Sequence, residues 1–291
     1  MHNTKVYLMA TLAAVFWGAN FNLASHVLAE MTPYVAGASR YALAACVMLL
    51  LVFARRWSVP LKHWRAYLTL GVVGVFGFNL FFFLGMETSS AINGALIMAL
   101  NPLLTAVLGY LILGVRPSNQ QLLAFPVGIV GVAIVVLGAG AQFTLARGDL
   151  FILIAALNWA LYNVLVKKMM PAEVSGIAST AGIMTFGAIA LVLAAILHGD
   201  AFVMPGLHAG VALMIMTLGG GVLAYLFWNA SIAHLGPSKA AIFLNLVPVT
   251  AMVIAAFEHM PPNHAQLFGA VLVISAVTFS SVSFTNARQS V

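Results

Sequence analysis

The second half of this chain repeats the first, and both halves are strongly apolar. Trp17 in "AAVFWGANFN" is answered by Trp159 in "AALNWALYNV", 142 residues on. Pro102 in "IMALNPLLTAV" is answered by Pro248 in "FLNLVPVTAM", 146 on, and Gln121 in "NQQLLAF" by Gln266 in "HAQLFGA", 145 on. The drift in offset is what ordinary loop insertions produce. Of the 291 residues, 63% are hydrophobic and 6% charged, and the mean hydropathy is +1.07. A soluble domain carries about 25% charged residues. No soluble fold could bury this much apolar surface, so the solvent is lipid. An internal repeat in such a chain points to a membrane protein assembled from two structural repeats, with a site between them.

Apolar runs of about 20 residues, the length that crosses a bilayer, predict ten helices. They fall near residues 5–26, 33–53, 66–86, 91–113, 119–140, 149–168, 174–197, 208–233, 238–258 and 264–285. Turn residues separate them, as at Thr32-Pro33, Met170-Pro171, Gly236-Pro237 and Pro261-Pro262-Asn263. The amino-terminal apolar stretch runs past Trp17 without a convincing cleavage site and reads as a retained first span rather than a signal peptide.

Placing the amino terminus in the cytoplasm sends ten of the twelve Lys and Arg residues inside: Lys5, Arg55, Arg56, Lys62, Arg65, Arg116, Lys167, Lys168, Lys239 and Arg288. Only Arg40 and Arg147 stay in the outer half. The acids sort oppositely, with Glu30, Glu87, Asp149, Asp200 and Glu258 outside and Glu173 inside. This is the positive-inside pattern. It accounts for the net charge of +6 without a nucleic-acid partner. The expected fold is an all-α integral membrane protein of ten transmembrane helices in two five-helix repeats, 1–142 and 143–291. Because each repeat holds an odd number of spans, the second is inverted. Both termini are then cytoplasmic, and in a bacterium the membrane is the cytoplasmic (inner) one. The single cysteine, Cys46, excludes an internal disulfide.

Several segments carry a family likeness. Phe16-Trp17-Gly18-Ala19-Asn20, Ala38-Ser39-Arg40-Tyr41, and "ALIMALNPLLTAVLGYLIL" followed by "QLLAFPVGIVGVAIVVLG" resemble the drug/metabolite transporter superfamily, specifically its EamA-like ten-helix exporters. The likeness covers nearly the whole chain and is echoed more weakly in the second half. Each motif is degenerate; their order, spacing and duplication are specific together. The family commonly has a glutamate closing the fourth helix of each repeat. Glu258 keeps it, while the first copy reads Leu113-Gly114-Val115. Within the superfamily the chain is most similar to exporters of aromatic amino acids and of amino acids in general.

Polar side chains deep in a span are costly and need a reason. Arg40 lies about two turns into the second helix. It fits a ligand for a substrate carboxylate, through a bidentate pair; the more usual alternative is an ion pair with Glu30 or Glu87. Trp17 and Asn20 share a helix face. Their counterparts are Trp159 and Tyr162, with Asn163 on the same face. Asn79 and Phe82 in the third helix correspond to Tyr225 and Trp228 in the eighth, where Asn229 follows. Singly, each of these residues fits helix packing. As a symmetric set of rings and amides they predict a central cavity between the first, third, sixth and eighth helices, suited to a small ligand with an apolar side chain. Pro102 and Pro248 each remove a backbone hydrogen bond near the centre of their helices and are read as paired bends for gating; packing is the alternative.

No acid or lysine sits at the centre of a span, so no proton relay or sodium site is evident. Neither is a cofactor or metal motif: His259 and His264 share an outer loop without one, and no obligate protein partner is indicated. The expected function is a carrier that exports small metabolites, amino acids including aromatic or other apolar ones, by alternating access and down the substrate gradient. The alternatives are an exporter of cationic or drug-like compounds and, behind it, an integral membrane enzyme, for which clustered catalytic groups are lacking.

Overall fold

The computed structural model describes residues 3–86, 88–89, 91–138, 146–257 and 261–281. Among these every regular element is helical, and they make ten spans. Span 1 is Asn3–Leu28 and span 2 Pro33–Ala54. Span 3 begins as Trp64–Leu70, continues as a π-helix over Gly71–Gly77 and ends as Phe78–Met86. Span 4 is broken into Ala91–Met98 and Asn101–Leu113; span 5 is Asn119–Leu137, span 6 Gly148–Met169 and span 7 Gly176–His198. Span 8 repeats the pattern of span 3, with Leu207–Ile215, a π-helix over Met216–Leu223, and Ala224–Leu235. Span 9 is interrupted by a 3-10 turn: Pro237–Ala241, Ile242–Asn245, Leu246–Phe257. Span 10 is His264–Ser281. Nine of these are long and apolar enough to cross a membrane, and the tenth is a shorter apolar helix. The expected division at 142/143 falls outside the described residues.

The ends are set by local chemistry. Thr32 caps span 2, its hydroxyl accepting from the Val35 N–H, with Pro33 at the first helical position. Gln121 and Gln266, matched in the repeat, do the same job. Ser118 and Gln121 form a reciprocal capping box at the start of span 5. At span 10 the Gln266 carbonyl oxygen accepts from the Asn263 N–H at 3.0 Å, and Asn263 Oδ1 from the Gln266 N–H at 2.9 Å. The sequence repeat there is a repeat of helix starts.

The spans pack in reciprocal pairs. Span 1 lies on spans 8 and 9, and span 6 on spans 3 and 4. Span 7 lies on span 3, and span 2 on span 8; spans 2 and 7, 4 and 9, and 5 and 10 pack on one another. Each pairing maps onto another, or onto itself, when spans 1 to 5 are exchanged with 6 to 10. With both the hydrocarbon and the interior apolar, close approach holds the spans together. Leu50, Leu111, Leu123, Leu150 and Leu197 are left exposed on the outside of the bundle, where lipid covers them.

The two prolines stand after interruptions rather than inside continuous helices. Pro102 is the second residue of Asn101–Leu113, just past the break in span 4, and Pro248 the third of Leu246–Phe257, just past the 3-10 turn. Their missing N–H groups fall in first turns, where a helix has no internal acceptor for them.

Candidate substrate cavity

A cavity of about 550 Å³ occupies the centre of the bundle. Its lining includes Trp17, Asn20, Arg40, Asn79, Phe82, Trp159, Tyr225 and Pro248, all singled out in the sequence. It also includes residues from spans 2, 4, 5, 9 and 10 that were not expected to line it: Tyr41, Met98, Val132, Asn245, Met252 and Gln266. The walls therefore extend well beyond spans 1, 3, 6 and 8. The lining is one-sided. It begins near mid-span at Trp159, Tyr225 and Leu244 and rises to Ala24, Ala255 and Gln266. Those three lie toward the membrane face where spans 1 and 9 end and span 10 begins.

Aromatic rings make the floor. The Trp17 ring meets Trp159, Trp228 and Tyr225 edge-on, with centroids 5.2, 5.1 and 6.0 Å apart. Phe78 packs on Trp159 at 5.1 Å. Such pairs add about 0.5–1.5 kcal/mol each beyond burial, so the floor is a rigid apolar plate.

Four polar side chains of the wall are anchored to the two π-helical segments. Trp17 Nε1 donates to the Gly220 carbonyl at 2.9 Å, and Arg40 Nε to the Met216 carbonyl at 3.3 Å. Tyr225 donates its hydroxyl to the Gly74 carbonyl at 3.2 Å, and Asn79 Nδ2 to the Val75 carbonyl at 2.6 Å. All four acceptors lie in Gly71–Gly77 or Met216–Leu223. A π turn disturbs the regular backbone ladder and leaves carbonyls to be satisfied by side chains. Gly220 has a further role: a Cβ there would run into both the Asn20 amide and an Arg40 Nη, so glycine lets span 8 approach these two groups.

Arg40 is 9% exposed. Its guanidinium also lies 5.1 Å over the Tyr41 ring. Among the described residues no carboxylate pairs with it. The expected ion pair with Glu30 is not formed, because Glu30 accepts from the Gly206 N–H at 2.6 Å. Glu87 and Glu258, like His259, lie outside the described residues. Among the described residues, the cation that lines the cavity makes one hydrogen bond, and it goes to a main-chain carbonyl.

The remaining candidates are placed below the floor, in the other half of the bundle. Trp228 Nε1 donates to Asn163 Oδ1 at 2.8 Å, Asn163 Nδ2 to Thr105 Oγ1 at 3.4 Å, and Thr105 Oγ1 to Asn101 Oδ1 at 3.3 Å. Asn101 Nδ2 ends the chain on the Ala156 carbonyl at 3.0 Å. Beside it, the Tyr162 hydroxyl donates to Asn229 Oδ1 at 2.8 Å, and Asn229 Nδ2 to Thr180 Oγ1 at 3.1 Å. Tyr162, Asn163, Trp228 and Asn229 therefore form a buried polar lock joining spans 4, 6, 7 and 8, and Pro102 lies next to it in sequence. No group of three His, Cys, Asp or Glu that could hold a metal occurs among the described residues.

A family model described as the EamA-like transporter family matches residues 4–137 and again 146–282. A protein named uncharacterized transporter YyaM, of Bacillus subtilis (strain 168), is 36% identical over 290 residues, covering 97% of this chain and 95% of that protein. Two proteins named "probable amino-acid metabolite efflux pump" are also similar. That of Escherichia coli (strain K12) is 27% identical, over 93% of this chain and 92% of its own length. That of Salmonella typhimurium is 26% identical, over 95% and 94%. A solved crystal structure superimposes with a TM-score of 0.80 at 20% identity, covering 95% of this chain and 96% of the other; this likeness concerns the fold.

Proposed function

We propose a substrate and a direction for this chain, which belongs to the EamA-like transporter family and is an integral membrane transporter: it exports amino acids with apolar or aromatic side chains by alternating access. The observation that carries the reading is the unpaired Arg40 guanidinium beside an aromatic plate in one cavity. A carboxylate satisfies the first in a bidentate pair, and an apolar side chain lies on the second. About 550 Å³ is within the range of small-molecule sites and admits the largest amino acids. The relatives named as amino-acid metabolite efflux pumps support the same class. The rings could also hold an organic cation, but Arg40 repels it and no described carboxylate lines the cavity, so the drug-like alternative is disfavoured. We read the chain as a carrier and not an enzyme.

Repeats 1–142 and 143–291 are proposed to be inverted copies, a reading supported by the reciprocal packing and by the double family match. With both termini cytoplasmic, the cavity faces outward and the polar lock closes the inner side. Single cysteines at Arg55 and Asp200, in a background with Cys46 replaced by serine, should then label from opposite faces; labelling from one face removes the inverted arrangement.

Transport is proposed to run down the substrate gradient, because the titratable groups that a proton relay would need are absent from the described cavity wall. The experiment is counterflow of a panel of labelled amino acids in liposomes holding the purified protein. Counterflow of aromatic and branched amino acids at equal pH is expected, without accumulation when a proton gradient is imposed. Absence of counterflow for every amino acid overturns the substrate class, and accumulation abolished by a protonophore overturns the energetics.

A further inference from the structure

Asn245 is 1% exposed, lines the cavity, and has neither amide atom hydrogen-bonded among the described residues. The other buried asparagines do have partners. Asn79, Asn101, Asn163 and Asn229 all hold a carbonyl, hydroxyl or indole at hydrogen-bond distance, Asn79 within its own span and the other three across helices. Asn245 closes the 3-10 turn Ile242–Asn245 in span 9. Its place in the repeat, 146 residues earlier, is Ala99, so the symmetry of the fold does not require an amide here. Span 5 is cut back to admit it: a Cβ at Gly128 would collide with Asn245 Nδ2. The neighbouring helix makes room for this group and gives it no partner. A buried amide left in that condition costs free energy that a ligand can recover.

We propose that Asn245 is the residue that reads the ammonium group of the substrate, so that the cavity selects zwitterionic amino acids over the corresponding carboxylic acids. The inference rests on the amino-acid reading above and deepens it. Asn245 lies on the wall built with spans 5 and 10, whereas Arg40 lies on the wall built with spans 1, 2 and 8. A ligand spanning the cavity places its carboxylate on the guanidinium and its ammonium on Asn245 Oδ1. Nδ2 is the edge turned to Gly128, and both amide atoms are covered, so the side chain turns toward the cavity for Oδ1 to accept an N–H. The amide is already out of water, so a bond formed there needs no further desolvation of the protein. A ligand lacking the ammonium leaves the amide unpaired, and that is how a site built to hydrogen-bond a group rejects the analogue without it.

The test compares phenylalanine with 3-phenylpropionate, which differs by the absent ammonium, in counterflow by the wild type, Asn245→Leu and Asn245→Asp. The wild type is expected to favour phenylalanine about tenfold or more, the worth of roughly one hydrogen bond to a charged group. Asn245→Leu should lose that preference while keeping 3-phenylpropionate transport, and Asn245→Asp should restore it. Since the amide makes no bond to the protein, the melting temperature of Asn245→Leu should equal or exceed the wild-type value. Unchanged preference in Asn245→Leu overturns the inference. So does a lowered melting temperature with equal loss of both ligands, which marks a packing residue. If the wild type moves no amino acid, the substrate class itself fails; if it moves amino acids and Asn245→Leu discriminates as before, only the present inference fails.

Discussion

Replacing Arg40 with methionine separates a substrate anchor from a structural cation, because the two roles predict opposite changes in stability. Among the described residues the guanidinium makes one hydrogen bond, from Nε to the Met216 carbonyl at 3.3 Å, and Arg40 is 9% exposed. Such a bond contributes about 1.5–3 kcal/mol at most. Removing a charge from water costs several kcal/mol, so an apolar side chain of similar length should leave the melting temperature unchanged or raise it. For the substrate the balance reverses. Losing a charge-assisted bond of about 1.5–3 kcal/mol to a carboxylate weakens binding roughly 10- to 150-fold. The assay is counterflow of phenylalanine and of phenylalaninamide, a cation without the carboxylate. Wild-type protein should discriminate strongly against the amide, and Arg40→Met should lose most of that discrimination through poorer phenylalanine transport. Arg40→Lys keeps the charge but not the planar fork and should fall between. Wild-type affinity and discrimination in Arg40→Met would refute the anchor. A collapse of folded yield would show instead that the guanidinium holds span 2 to span 8.

Three further outcomes are expected. Gly220→Ala forces a Cβ into the Asn20 amide and Arg40, so transport should fall by at least about tenfold, the effect of one misplaced anchor; Gly176→Ala, with open space around it, should transport normally. Trp228→Phe removes the donor to the buried Asn163 Oδ1, and a thermal melt should show a loss of about 1–3 kcal/mol; no loss would mean that the lock is slack. At the opposite end of the bundle, the Thr32 hydroxyl, 2.6 Å away, and then His198 at 2.9 Å hold the Asp200 carboxyl below its ordinary range. A lowered native pKa gives stability that is present above about 3.9, the unfolded value, and is lost as pH falls through the native one. Thr32→Val removes the largest cause, so the pH-dependent part of acid unfolding should shrink, as read by tryptophan fluorescence. Loss of the Thr32 cap on span 2 lowers stability at every pH and is separated by that slope; an unchanged slope refutes the assignment.

Span positions were legible in the sequence because lipid imposes length and apolarity together, and because Pro, Gly and capping residues mark the ends. Which residues share a face was legible too, through helical spacing. Depth within the membrane was not. In an inverted repeat, a residue in the outer half of span 1 corresponds to one in the inner half of span 6. Pairs near the middle, Trp17 with Trp159 and Asn79 with Tyr225, all reach the cavity. Away from the middle only one partner does: Asn20 lines it while Tyr162 is in the lock, and Phe82 lines it while Trp228 is in the lock. The sequence shows the pairing, but a one-sided cavity can take only half of it. Asn245 escaped notice for the complementary reason. Its counterpart is Ala99, and the 3-10 turn that presents it has no signature in an apolar run. The π-helical segments were visible only as glycines, Gly71, Gly74 and Gly77 and then Gly219, Gly220 and Gly221, which read equally well as close packing.

The polar lock has a kinetic consequence for the cell. In the orientation and direction proposed above it closes the cytoplasmic side, so a carrier in this conformation faces away from the pool that it would drain. Internal substrate would then bind only a state in which the bonds of Trp228, Asn163, Tyr162 and Asn229 are open. The apparent dissociation constant is the intrinsic one divided by the fraction of carriers in that state, so a fraction of roughly one in a hundred would raise the half-saturating concentration about a hundredfold. At such a fraction ordinary metabolite levels would leave the carrier nearly idle, and only a surplus would engage it. The protein would behave as an overflow valve whose threshold is written in four buried side chains rather than in a regulatory site.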